Sequence, residues 1–82
     1  MNNSLKIYQN IKGGFMNIDI RKSIINNFKG NSIDEIMISI DESIKNGDEI
    51  TLPGLGVFFE LLWNNVDLNM KKAIIENIKK SL

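Results

Sequence analysis

Gly47-Asp48-Glu49-Ile50-Thr51-Leu52-Pro53-Gly54-Leu55-Gly56-Val57-Phe58-Phe59-Glu60-Leu61-Leu62-Trp63 holds the only proline and the only tryptophan of the chain, two of its four phenylalanines and three of its six glycines. So much backbone punctuation and aromatic mass in one place marks the organiser of a core. Ile50 and Leu52 alternate with polar neighbours, which predicts a short extended entry. Pro53 suits the first turn of a helix, where its missing N–H costs nothing, so a Pro53-Gly54-Leu55-Gly56 turn is expected to lead into that helix. From there Leu55, Phe58, Phe59, Leu62 and Val66 keep helical spacing. Glu60 is the only charge between Glu49 and Asp67. A helix apolar nearly all round is expected to lie centrally and buried. Trp63 is expected at the core edge, with its N–H on a carbonyl or water.

The neighbouring segments read as amphipathic helices. Upstream, Ser32-Ile33-Asp34-Glu35 is a capping box, in which the Ser32 hydroxyl accepts from the Glu35 amide and the Glu35 carboxylate reaches back. Ile33, Ile36, Met37, Ile40 and Ile44 follow at helical steps. Asp41 and Lys45 are spaced for an i,i+4 ion pair worth a few tenths of a kcal/mol. Gly47 ends this helix. Further upstream, Asp19 is an N-cap candidate for a helix carrying Ile20, Ile24, Ile25 and Phe28 on one face, and Gly30 follows as a left-handed terminator. Downstream, a fourth helix starts near Asp67 or Asn69 and presents Met70, Ile74, Ile78 and Leu82 at steps of four. Short loops join all of these. The fold expected is all-α, a compact four-helix domain.

Composition narrows the chemistry. At 82 residues, with 43% hydrophobic content, the chain is one domain of ordinary globular character. No apolar run reaches the roughly 18 residues of a spanning helix, and no charged start precedes an apolar leader segment. No membrane partner is expected. The absence of cysteine leaves no disulfide framework and no thiolate metal site. Without histidine as well, the commonest general base and the thiol nucleophile are both missing. Asp41-Glu42 and Asp48-Glu49 are adjacent pairs whose side chains diverge on a helix, so no metal or other cofactor is expected. Gly54-x-Gly56 lacks the third glycine and the lysine of a phosphate cradle. The expectation is no enzyme. Ten basic against ten acidic residues give zero formal charge. The short pairs Arg21-Lys22, Lys71-Lys72 and Lys79-Lys80 read as solvated helix faces, so tight duplex DNA binding is not expected. Self-association into a homo-oligomer stays open.

Two resemblances bear on these residues. The run Leu52-Pro53-Gly54-Leu55-Gly56-Val57, with Phe59-Glu60 and Trp63 behind it, resembles the signature of the small acid-soluble spore proteins of the I type. It extends from about Met16 to the last helix, which is richer in Ile and Lys than that pattern. Pro53, Gly54, Leu55, Gly56, Phe58, Phe59, Glu60 and Trp63 form the matching stretch, and Ser32 with Glu35 caps the helix before it. The resemblance implies a minor, non-enzymatic protein of the spore core, made in the forespore, whose biochemical role is unknown. Gly47-Asp48-x-Ile50-x-Leu52-x-Gly54-Leu55-Gly56-x-Phe58 is also similar to the bacterial histone-like DNA-binding proteins, over roughly residues 18–60. That alternative implies two helices followed by a short β-hairpin, and a nucleoid role. It breaks down where basic β-arms would be needed, because Leu61-Leu62-Trp63 stands there instead. A third reading is a helical adaptor docking a partner through Trp63 or the Leu52–Leu55 segment.

The first residues carry a separate expectation. Lys12-Gly13-Gly14 can be encoded by a purine-rich ribosome-binding sequence, with Met16 following at the distance of a start codon. Spore proteins of the resembled type begin with Met a few residues before an Arg-Lys pair like Arg21-Lys22. Residues 1–15 are therefore expected to be upstream sequence read in frame, and 16–82 the domain; the alternative is a genuine, poorly ordered tail. A start at Met16 removes Lys6 and Lys12, leaving eight basic against ten acidic residues and a net charge of −2.

Overall fold

A computed structural model describes residues 19–82. The expectation about residues 1–15 lies outside them. The order of elements is α1 (Ile20–Phe28), α2 (Ile33–Asn46), a single 3₁₀ turn (Glu49–Thr51), α3 (Leu52–Asn65) and α4 (Leu68–Lys79). The described residues are all-α. No strand occurs among them, and Gly54-Leu55-Gly56 sits inside a helix, where the histone-like alternative needs a hairpin.

Helix starts follow from side chains that satisfy free backbone donors. Asp19 Oδ1 accepts from the Lys22 N–H at 3.0 Å and starts α1. The Ser32 hydroxyl accepts from the Glu35 N–H at 3.1 Å, and Glu35 Oε1 accepts from the Ser32 N–H at 2.8 Å, which completes the capping box of α2. Asp67 Oδ1 accepts from the Met70 N–H at 2.9 Å and starts α4. Two helices stop at glycines in the left-handed region, Gly30 at φ 86° after α1 and Gly47 at φ 66° after α2. A side chain is disfavoured in that conformation.

Between α2 and α3 the chain departs from the extended entry expected for Ile50 and Leu52. Both the N–H and the hydroxyl of Thr51 donate to the Asp48 carbonyl, at 3.1 and 2.8 Å, closing a 3₁₀ turn over Glu49–Thr51. Thr51 is fully buried there. Those two local hydrogen bonds override an alternation only a few residues long. The tight turn thus precedes the proline. Pro53 takes the second position of α3, Gly54 and Gly56 continue the helix, and neither glycine has a positive φ.

The core lies between α1 and α3. Ile24 and Phe28 of α1 and Val57 of α3 are buried, and Ile20, Ile36, Leu55 and Phe58 pack against them. The Phe28 and Phe58 rings meet edge to face, centroids 4.9 Å apart at 71°, an arrangement that the ring quadrupole favours. Burial of α3 is one-sided, contrary to the expectation of a central, fully covered helix. Phe59, Leu61 and Leu62 remain exposed, because α1 alone runs closely along α3 and covers one flank of an all-apolar cylinder. Asp41 and Lys45 on α2 stay exposed and do not pair. A pairing worth only tenths of a kcal/mol does not hold two long side chains in one geometry.

Candidate functional site

Each signature residue has a definite place on α3. Val57 points into the core, Leu55 and Phe58 lie against it, and Gly54 is buried. Gly56 faces open space: a Cβ added there meets nothing within 4 Å. Close approach of a neighbouring helix therefore does not explain Gly56. Pro53 and Gly56 line a shallow hollow of about 240 Å³ together with Ile20, Arg21, Val57 and Glu60.

Glu60 is held by a group 39 positions upstream. Arg21 Nε donates to Oε1 at 2.7 Å and Nη2 donates to Oε2 at 2.8 Å, a fork-to-fork pairing across the α1–α3 seam. The two guanidinium hydrogen bonds hold the Glu60 carboxyl below its ordinary range, desolvation opposes them, and the Arg21 charge adds to the lowering. The same pair raises Arg21. Both side chains are largely open to water, so the pair sets register more than it adds stability. Spacing had read Arg21-Lys22 as a plain solvated face. The available signal was Glu60 itself, a lone charge on an otherwise apolar helix.

Farther along α3, Phe59 and Trp63 stack at 5.5 Å with their planes 26° apart. The Lys71 ammonium of α4 lies 5.2 Å from the Trp63 ring centre, within cation–π range. Lys71 thus ties α4 to the end of α3, a role that pair spacing in the sequence does not reveal. Trp63 is half-buried at the edge of an open groove of about 410 Å³, walled by Leu68, Lys71, Lys72, Ile75 and Glu76. Among the described residues, no three carboxylates gather where they could hold a metal ion. Nothing in the signature converges as nucleophile, base and acid would need to. Its polar group, Glu60, is engaged with Arg21, and its aromatics touch one another or the core.

The model of one protein family, small, acid-soluble spore protein I, matches residues 18–82, which takes in all four helices and the whole of Pro53–Trp63. The chain belongs to that spore-protein family. It is similar to the small, acid-soluble spore protein I of Bacillus cereus, 39% identical over 67 residues that cover 82% of this chain and 97% of the relative. The Bacillus cytotoxicus and Bacillus anthracis proteins of the same description are each 37% identical over 67 residues, covering 82% of this chain and 96% and 97% of themselves. No solved structure matches. Membership makes this a spore protein of sporulating bacteria, in a family not known for enzymes. It favours neither the histone-like nor the adaptor reading. No helix among the described residues is long and apolar enough to cross a membrane.

Proposed function

We propose that this spore protein is a minor, non-enzymatic component of the spore core, made in the forespore and kept as a folded helical module. One observation carries the reading: the middle of the signature, Val57, Phe58 and Glu60, is engaged in building the α1–α3 unit. Val57 fills the core, Phe58 meets Phe28, and Glu60 grips Arg21. A segment used in this way supports a scaffold role for Pro53–Trp63. Zero formal charge supports the same reading over a DNA-coating role, because phosphate neutralisation needs clustered cations.

A fluorescently tagged copy followed through sporulation, combined with fractionation of the finished spores, tests the location. The expected signal arises in the forespore and is recovered from the interior of decoated, broken spores. A signal in the mother cell, or one removed with the coat, contradicts a core protein.

A further inference from the structure

Two helices carry apolar stripes that the α1–α3 core leaves uncovered. On α2, Ile33, Met37 and Ile44 are 79%, 55% and 65% exposed, and with half-buried Ile40 they follow steps of four, three and four, the spacing of a helix-pairing seam. The seam runs between a core-facing edge (Ile36, Ser43) and an edge bearing Asp34, Asp41 and Lys45, net acidic by one charge. On α4, Leu68 and Ile75 stand two turns apart in the groove beside Trp63, with Lys71, Lys72 and Glu76 around it, a net of +1. Both stripes belong to this one chain.

Their charges are opposite. α2 carries Asp34, Glu35, Asp41 and Glu42 against Lys45, a net of −3. α4 carries Lys71, Lys72 and Lys79 against Glu76, a net of +2. We infer that a second copy of this chain covers these faces, the α2 seam of one protomer lying in the Trp63–Ile75 groove of the other. A two-fold axis then creates the contact twice, α2 on α4 and α4 on α2, and the interface is self-complementary. Complementary charge selects this pairing over α2 on α2 or α4 on α4, each of which sets like charges against each other. About six large apolar side chains per protomer, each offering on the order of 100 Å², supply roughly 600 Å² per partner, the lower end of specific interfaces. A core of only three buried apolar side chains among the described residues leaves much to gain from such covering.

Sedimentation equilibrium of the full chain at low and high salt, with two charge reversals, tests this. The parent is expected to have the mass of two chains, with a dissociation constant that rises with salt. Asp41→Lys and Lys72→Glu, both exposed and outside the core, are each expected to weaken self-association by at least about tenfold while circular dichroism stays helical. An equimolar mixture of the two is expected to recover the dimer, because each reversed face then meets its complement. A monomeric parent at low salt and about 0.1 mM overturns the inference, since that concentration far exceeds the dissociation constant of an ordinary specific dimer. So do reversals that dimerise as tightly as the parent, and a mixture that stays monomeric.

Discussion

Gly56 and Gly47 are expected to respond in opposite directions to the same substitution. Gly56 lies inside α3 with a non-positive φ and open space where a Cβ would go. Gly56→Ala should stabilise the fold by about 0.5–1 kcal/mol, the usual gain over glycine within a helix. Gly47 holds φ 66° at the end of α2, so Gly47→Ala should cost about 1–2 kcal/mol, the penalty of a left-handed alanine. Urea unfolding of the two variants beside the parent checks both signs. At Glu60 the expectation concerns pH. Arg21 holds the Glu60 carboxyl below its ordinary range in the folded chain, so its contribution is fully present above the unfolded value and is lost as pH falls through the folded one. Glu60→Gln should therefore melt below the parent at pH 7, and the gap should narrow as pH falls below the ordinary carboxylate range. A gap that stays constant down to the acid limit of folding would show that the carboxylate charge is not what Arg21 holds. The Ser32–Glu35 capping box could be read directly from the sequence, because its donors and acceptors lie within one turn. The Arg21–Glu60 pair could not, because 39 positions separate its members and only the fold brings them together.

Local chemistry made the helices legible and left their packing hidden. Asp19, Ser32 and Asp67 announce helix starts through a short acceptor followed by a donor three residues on, and all three bonds form. Gly30 and Gly47 announce two of the stops. The entry to α3 was misread because the Ile50 and Leu52 alternation is too short to outweigh the two bonds that Thr51 makes to Asp48. The exposure of Phe59 and Leu62 was hidden for a different reason: hydrophobicity around a helix says that it can be covered on every side, and the number of neighbours decides how much is covered. α2 depends strongly on its own ends, since of its apolar side chains only Ile36 reaches the core cluster. Ser32→Ala should cost about 1 kcal/mol, the usual worth of an N-cap. Hydrogen exchange should show the loss concentrated in the first turns of α2, with α1 amides little affected.

At the scale of the whole molecule, charge and core together define what the protein is suited to do. Zero formal charge with dispersed lysines predicts weak, unspecific association with DNA. A gel-shift series from about 50 to 200 mM salt should show no sub-micromolar duplex binding at any point; tight binding that collapses across the series would point to a nucleoid role instead. Val57, Phe58 and Glu60 of the Pro53–Trp63 run join α3 to α1. Phe58 and Phe59 are adjacent in sequence and opposite in situation, one against Phe28 and the core, the other 40% exposed beside Trp63. Truncating a fully buried phenylalanine costs about 3–5 kcal/mol, and half-buried Phe58 a good part of that, a large share of the ~5 kcal/mol expected at the lower end for a domain this small. The decisive measurement is a thermal scan, by circular dichroism, of Phe58→Ala beside Phe59→Ala and the parent. Phe58→Ala is expected to lose the cooperative transition or to melt far below the parent, with Phe59→Ala keeping it; a Phe58→Ala protein that melts with the parent contradicts a scaffold role for this segment.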